Sequence, residues 1–533
     1  MTKLKAARSK QVLLITEGTY PFFLGGVSNW CQMLICQLPE FDFKVFSLTG
    51  DQRMNPRYTL PPNVIEFRAI PLWGTREALE NQRELSLAGI YRRKRGTTEA
   101  VVARSFIPSF ESFLSGLYAE GSPLCLAQPI REMYRFFLSH DFDAALRSRS
   151  AWDCFVQTSR HYFPQTAARC GYPRAEFSLA DMTDAMSLLY RWVSPLAAQL
   201  PAADIAHAAS AGLCSLVAVA AKLEHNAAFL LTEHGIYLRE RYLAEADSPS
   251  NLFLKMFSLR FVRRVTELSY ALADLISPGS DYNQRWELYG GASPDRLRTI
   301  RNGVDPAEFK PMNKPGPPPL VVVWLGRITP IKDLITLLRA AAMVREQRPD
   351  IEFRVYGSAS AQDQAYYQAC MELRADLGVE DAVVFGGYAE SAEKAFNEAD
   401  IVVLSSISEG LPYSVIEAML CAKPIVATAV GGVPEAVEGC GIMVEPRNPK
   451  KMAQAILSLT NDPVRRMELG QVARQKAAQE FSLNQCGEAY RYNYIRLASH
   501  GQMTASPKST SEATGRLENS LHERADQLLP NPS

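Results

Sequence analysis

Short runs of β-branched and other apolar residues recur along this chain, each followed by a longer stretch with apolar positions at helical spacing, and the pattern occurs twice. In the first half the runs are Gln11–Ile15, Phe43–Leu48, Val64–Phe67, Ile205–His207, Phe229–Thr232 and Asp274–Ser277. In the second they are Leu320–Leu325, Ile351–Val355, Ala382–Phe385, Ile401–Leu404, Pro424–Thr428 and Gly441–Val444. Runs this short and this apolar suit strands buried on both faces, and strands that alternate with helices build parallel sheets. An α/β chain of two doubly wound, Rossmann-like domains is therefore expected. The Pro/Gly cluster Lys314–Pro319, reached through Ile300–Asp305, marks the boundary. It separates an N-terminal domain over 1–310 from a C-terminal domain over 318–480. Between Leu72 and Ala198 the strand pattern gives way to Arg, Glu, Leu and aromatics at helical spacing, which predicts a helical insertion. Phe481–Leu497 reads as a final helix, and 501–533 is Ser/Thr/Pro-rich and expected to be disordered.

With 533 residues, the chain is too long for a single core. Lys plus Arg and Asp plus Glu each number 57, so no bulk charge favours nucleic acid or an anionic membrane. The clusters Arg92-Arg93-Lys94-Arg95 and Arg263-Arg264 are local, and such clusters are usually solvated faces. The 10 cysteines show no CxxC pair or Cys/His ligand spacing, which fits reduced thiols in a cytoplasmic protein. The N-terminal basic residues precede only a short apolar run, a first strand and not a signal peptide. Leu213–Leu223 is too short and too polar to span a membrane.

The segment SSISEGLPYSVIEAM begins at Ser405, directly after the run Ile401–Leu404. Tyr413 onward is expected to be helical, with Pro412 near the first turn, where a missing N–H does no harm. Glu409 then lies in a loop and Glu417 about two turns into the helix. A helix start offers unpaired N–H groups and partial positive charge, which suits a phosphate. Acceptor carboxylates beside an anion site suit a ligand with phosphates and many hydroxyls, such as a nucleotide sugar. Trp324-Leu325-Gly326-Arg327 ends another strand of this sheet, and Lys332 follows at the start of the next helix. Arg presents a fork to phosphate oxygens and Lys a mobile point charge. Each of these residues alone is more often an ordinary surface charge; their recurrence at strand ends of one sheet favours a site. In the first domain, Thr232-Glu233-His234-Gly235 ends a strand facing the same cleft. A lone histidine is more often a hydrogen-bonded structural group, but Gly235 opens the backbone where ligands bind in such folds. The Gly-rich turn Pro21–Gly26 lacks GxGxxG, so a dinucleotide site is a weak expectation.

Together GRITPIKDL, SEGLPYSVIEAM, AVGGVPE at Ala429–Glu435, NGVD at Asn302 and TEHG at Thr232 resemble the retaining glycosyltransferases of family 4, which have the GT-B fold. The resemblance covers most of the chain. LLITEGTYPFFLGGVSNW, TEHGIYLRER and the helical insertion resemble most the subgroup that serves bacterial Pel exopolysaccharide systems. The resemblance implies transfer of a hexose from a UDP-sugar, UDP-glucose foremost, to a growing polysaccharide, without metal or cofactor. It implies that Arg327 and Lys332 hold the donor diphosphate and that Glu417 accepts from the ribose hydroxyls. Glu409 and the Gly410-Leu411 backbone would address the transferred sugar, and His234 would contact it near the reacting centre. Gly25 and Gly26 would let the first loop approach the phosphates and acceptor, and Tyr388 would border the base pocket. The helix at 481–499 would cross back to the N-terminal domain. Retention would follow from same-face attack, the donor phosphate helping to remove the acceptor proton. A cytoplasmic location beside inner-membrane Pel synthase or export proteins is also implied.

Asp141-Phe142-Asp143 matches the DxD pattern of metal-binding glycosyltransferases of another fold, but it lies in a helical, Arg-containing stretch and not at a strand end. No metal role is expected of it. A non-catalytic subunit that senses nucleotide sugar is the alternative function, although a sensor has no need of the full set Arg327, Lys332, His234, Glu409 and Glu417. Another GT-B enzyme, such as an epimerase or a starch-synthase-like transferase, is disfavoured by the N-terminal motifs. The insertion is an acceptor lid or a docking surface; its aromatics Phe106, Phe110, Phe113, Tyr118, Tyr134, Phe136 and Phe137 are expected to form the core of a small helical unit.

Overall fold

The computed structural model describes residues 9–51, 54–73, 85–246, 248–312 and 319–503. Two six-stranded parallel sheets organise them. The first holds β1 (Gln11–Glu17), β2 (Asp42–Thr49), β3 (Val64–Pro71), β4 (Ile205–Ala208), β5 (Ala228–Glu233) and β6 (Leu275–Pro278) in the order β3-β2-β1-β4-β5-β6. The second holds β7 (Leu320–Leu325), β8 (Ile351–Tyr356), β9 (Val383–Gly387), β10 (Ile401–Leu404), β11 (Ile425–Thr428) and β12 (Gly441–Val444) in the order β12-β11-β10-β7-β8-β9. These are the two Rossmann-like domains of a GT-B architecture. Lys314–Pro318 of the expected linker lies outside the described residues.

Successive residues of a strand point to opposite faces, so a strand covered on both sides needs no polar alternation. In β1, Leu13 and Ile15 join the core on one face, while Val12 and Leu14 join the core on the other. Val321 and Val323 of β7 likewise separate from Val322 and Trp324. Each fully buried side chain of this kind contributes roughly 1.5–3 kcal/mol.

The insertion is helical from Leu87 to Ala197 among its described residues; 74–84 lie outside them. All seven aromatics named above are buried, but not in a separate unit. They share one core with Leu13, Ile15, Phe46 and Leu48 of the first sheet. The insertion thus supplies the cover of one sheet face. Asp141 caps the helix Phe142–Leu146 by accepting from the Ala144 N–H at 2.7 Å, and buried Asp143 accepts from the Tyr190 hydroxyl. Both aspartates have structural partners.

The last helix runs Leu483–Met503, later than expected, because Phe481 ends the preceding helix Pro463–Glu480 and anchors in the core of the second domain. Helix replaces the expected disorder at 501–503, and 504–533 lie outside the described residues. Val304 N–H donates to the Phe481 carbonyl at 2.9 Å and Leu483 N–H to the Val304 carbonyl at 3.0 Å. Two segments of chain cross here, and a Cβ on Gly303 would come within 2.7 Å of Cys486 Cβ. Beyond the crossing, Cys486, Tyr490, Tyr494 and Leu497 pack with Val12, Leu14 and Trp30 in the first domain. Tyr494 Oη meets His207 Nδ1 at 2.7 Å, and His207 Nε2 meets Thr232 Oγ1 at 2.8 Å. Burial lowers the His207 pKa to about 3, so this linked set is uncharged near neutrality.

Candidate active site in the interdomain cleft

Because every strand pairs in parallel, the carboxyl ends of each sheet share one edge, and ligands bind beside that edge in open α/β sheets. The site is built on the loops that leave β1, β5, β7 and β10.

In the second domain the loops after β7 and β10 are tied together. Ser405 Oγ donates to the Lys332 carbonyl at 2.8 Å, and Ile407 N–H donates to the Ile331 carbonyl at 2.8 Å. Lys332 closes a short 3-10 turn, Pro330–Lys332, and Asp333 caps the helix Leu334–Gln347. Lys332 therefore precedes that helix and does not begin it. Its Nζ lies 2.6 Å from Glu409 Oε1, which also accepts from Ser406 Oγ at 2.5 Å. The side chains of Lys332 and Glu409 are only 17% and 9% exposed, so this is a largely desolvated pair. Arg327 is exposed at the end of β7.

The helix Tyr413–Leu420 starts one residue after Pro412, with no side-chain cap and no acid in its first turn. The helix Gly26–Gln37 of the first domain is uncapped in the same way. Free N–H groups and partial positive charge at both starts make this region receptive to an anion. The two starts adjoin: a Cβ on Gly26 would lie 3.4 Å from the Tyr413 ring. Gly26 therefore packs against the second domain, while the space about Gly25 is open. Glu417 stands little more than one turn into its helix, closer to the start than expected. It is half-buried, and burial, with Glu308 nearby, pushes its pKa up to about 7.

From the first domain, His234 follows β5 with its ring edge-on to Trp30, centroids 4.5 Å apart. Burial lowers its pKa to about 4, while a hydrogen bond with the Asn302 side chain opposes the shift. Its Nε2 is shut off from solvent and has no hydrogen-bond partner among the described residues. A neutral imidazole with one free nitrogen is a hydrogen-bonding group and not a cation.

The domains touch at this point. A Cβ on Gly410 would lie 2.1 Å from the His234 carbonyl oxygen, so only glycine permits the approach. Asn302 Nδ2 donates to the Leu411 carbonyl at 2.9 Å, and Arg239 donates to Ser408 Oγ. Glu435 accepts from the N–H groups of Asp281 and Tyr282 at 3.0 and 2.6 Å, capping the first-domain helix Asp281–Tyr289 from the second domain.

The structure thus gathers Arg327, Lys332, Glu409, Gly410, Leu411 and His234 at one face-to-face contact, with Gly26 and Glu417 at the adjoining helix starts. Tyr388 follows β9 and is 67% exposed, near enough to Tyr58 of the first domain to act on its hydroxyl. Sequence reasoning assigned no role to Asn302, Arg239, Glu240 or Glu435. Asn302 and Glu435 lie within the NGVD and AVGGVPE motifs, and Arg239 and Glu240 within TEHGIYLRER, which was a signal; that Arg239 and Glu240 face the second domain is visible only in three dimensions. Among the described residues no three His, Cys, Asp or Glu side chains gather as a metal set, and no helix is long and apolar enough to cross a membrane.

Residues 10–295 match the family model described as Domain of unknown function (DUF3492), and residues 319–462 match Glycosyl transferases group 1. A D-inositol 3-phosphate glycosyltransferase of Kineococcus radiotolerans is 33% identical over 251 residues, covering 42% of this chain and 57% of the relative. A second such enzyme, from Catenulispora acidiphila, is 35% identical over 207 residues, covering 36% and 48%. The chain thus spans about half the length of these curated relatives. Sucrose-phosphate synthase from Thermosynechococcus elongatus superposes with a TM-score of 0.59 at 17% identity, over 92% of this chain and 100% of that one. Anabaena HepE in complex with UDP-glucose superposes at 0.55 and 15% identity, over 91% and 99%. These likenesses establish the fold.

Proposed function

Since the chain belongs to the DUF3492 family and carries a group 1 glycosyl transferase domain behind that region, we infer a retaining, metal-independent glycosyltransferase that moves a hexose from a UDP-sugar to a growing polysaccharide. The observation that carries this is the juxtaposition of Arg327 and the Lys332–Glu409 pair with two uncapped helix starts, opposite His234. UDP-glucose is the favoured donor, and the UDP-glucose complex of Anabaena HepE, which shares the fold, supports it. The N-terminal motifs support the narrower assignment to PelF, the glycosyltransferase of Pel exopolysaccharide systems, acting in the cytoplasm beside inner-membrane synthase and export proteins.

Breaking the sugar–diphosphate bond leaves positive charge on the sugar and negative charge on the diphosphate. Arg327, Lys332 and the two helix starts stabilise the leaving diphosphate, and Glu409 takes the sugar hydroxyls as Lys332 turns to the phosphate. His234 contacts the sugar near the reacting centre. The acceptor attacks the face that the diphosphate leaves, and the diphosphate receives its proton. Tyr388 borders the uracil.

Titration of the protein with UDP-glucose, UDP-GlcNAc, UDP-GalNAc and GDP-mannose in EDTA tests the assignment. Selective UDP-sugar binding, with UDP release undiminished by EDTA, is expected. Absence of binding by all four, or turnover that EDTA abolishes and Mn²⁺ restores, would overturn it.

A pH effect follows from Glu417. The free protein holds its proton up to about pH 7, whereas ribose hydroxyls donating to it favour the carboxylate. Donor binding therefore expels the proton, and affinity rises with pH. Between about pH 6 and about pH 8 the affinity for UDP-glucose should rise about tenfold, with about half a proton released near pH 7. Calorimetry in two buffers of different ionisation enthalpy measures the release; Glu417→Gln should remove it.

A further inference from the structure

Glu240 lies in the first turn of the helix Tyr237–Ala246, and its side chain folds back over Gly235. A Cβ on Gly235 would come within 2.2 Å of Glu240 Oε1. Glu240 is an exposed residue, but its carboxylate is partly desolvated and makes no hydrogen bond among the described residues. Its charged neighbours are Arg239 on its own helix, Glu233 at the end of β5 and, from the opposite domain, Arg327 and Glu409. An acid in a first turn complements the helix dipole wherever its head group points. Here the head group points across the cleft, toward the residues assigned to the donor. Partial loss of water raises its pKa, and the two arginines oppose that shift.

A carboxylate with open lone pairs takes hydrogen-bond donors, and it repels a diphosphate. The group that comes between Glu240 and the diphosphate near Arg327 must therefore bring hydroxyls. We propose that Glu240 holds the acceptor: its carboxylate accepts from hydroxyls of the incoming sugar and keeps the attacking one on the Arg327 side of the cleft. This rests on the glycosyltransferase reading and adds to it the acceptor-binding residue of the first domain.

Three readouts on Glu240→Gln and Glu240→Ala test it: calorimetric affinity for UDP-glucose, UDP release with water as acceptor, and incorporation of labelled glucose into polymer by membranes of the source cells. Affinity and water-dependent release should stay within about twofold of wild type, while incorporation falls at least about tenfold in Glu240→Ala and less in Glu240→Gln. Incorporation at the wild-type level in Glu240→Ala would overturn the proposal, and so would a loss of UDP-glucose affinity as large as the loss of incorporation. A wild-type protein that neither binds UDP-glucose nor releases UDP would instead sink the glycosyltransferase reading, and the proposal with it. Melting curves of both variants verify the fold.

Discussion

Replacing Lys332 by alanine is expected to reduce sugar transfer by at least ~10³-fold and to destabilise the folded chain as well. Two losses combine. The leaving diphosphate forfeits a cation, and removing one donor of this kind costs about 10²–10³ in rate. Glu409, whose side chain is only 9% exposed, also loses its partner at 2.6 Å. An orphaned, largely desolvated carboxylate costs about 3 kcal/mol and would face the diphosphate as a like charge. Arg327→Ala is the informative companion. Arg327 is exposed, so its removal should lower turnover by about 10²-fold with the melting temperature unchanged. Initial rates of UDP release and melting curves measure both effects. Near-normal turnover in either variant would remove the diphosphate role.

Gly410→Ala should be nearly as damaging for a steric reason. The added methyl would sit 2.1 Å from the His234 carbonyl oxygen, a backbone atom that cannot swing aside. The two domains would have to part, which withdraws His234 from the Glu409 loop and loosens the Asn302–Leu411 bond. Nucleotide contacts within the second domain survive such a parting; the reacting geometry does not. UDP affinity is expected to fall no more than several-fold while transfer drops about 10²-fold, the scale of an ångström-level misplacement. Gly50→Ala is the control, since a Cβ there meets nothing within 4 Å. Equal activity in the two variants would show that this interdomain contact is not needed for turnover.

The sheets were legible because a strand buried on both faces leaves a strong local mark. Leu320–Leu325, Ile401–Leu404 and Gly441–Val444 stand where expected to the residue, and the other runs differ at their ends by a few residues. Boundaries that depend on turn geometry were less legible. Lys332 reads as a helix start, but its neighbour Asp333 takes a left-handed conformation (φ 48°) and caps the helix itself. Phe481 reads as the start of the last helix; it anchors instead in the second domain's core, one residue past the preceding helix. The insertion's aromatics were recognised as core, but a one-dimensional pattern could not tell which other surface would complete that core.

The sequence by itself determined the two doubly wound domains, the loops that carry Arg327, Lys332, Glu409 and His234, and the neutral overall charge that argues against nucleic acid. All of these depend on periodicity and composition within short windows. The tertiary structure decided that Lys332 neutralises Glu409, that Gly410 rests on the His234 carbonyl, that burial raises Glu417 and lowers His234, and that Glu240 faces the opposite domain. Those facts depend on which groups lose water together and on residues far apart in the chain meeting across a cleft. Desolvation and close approach belong to the packed molecule, and neither leaves a mark in a local stretch of sequence.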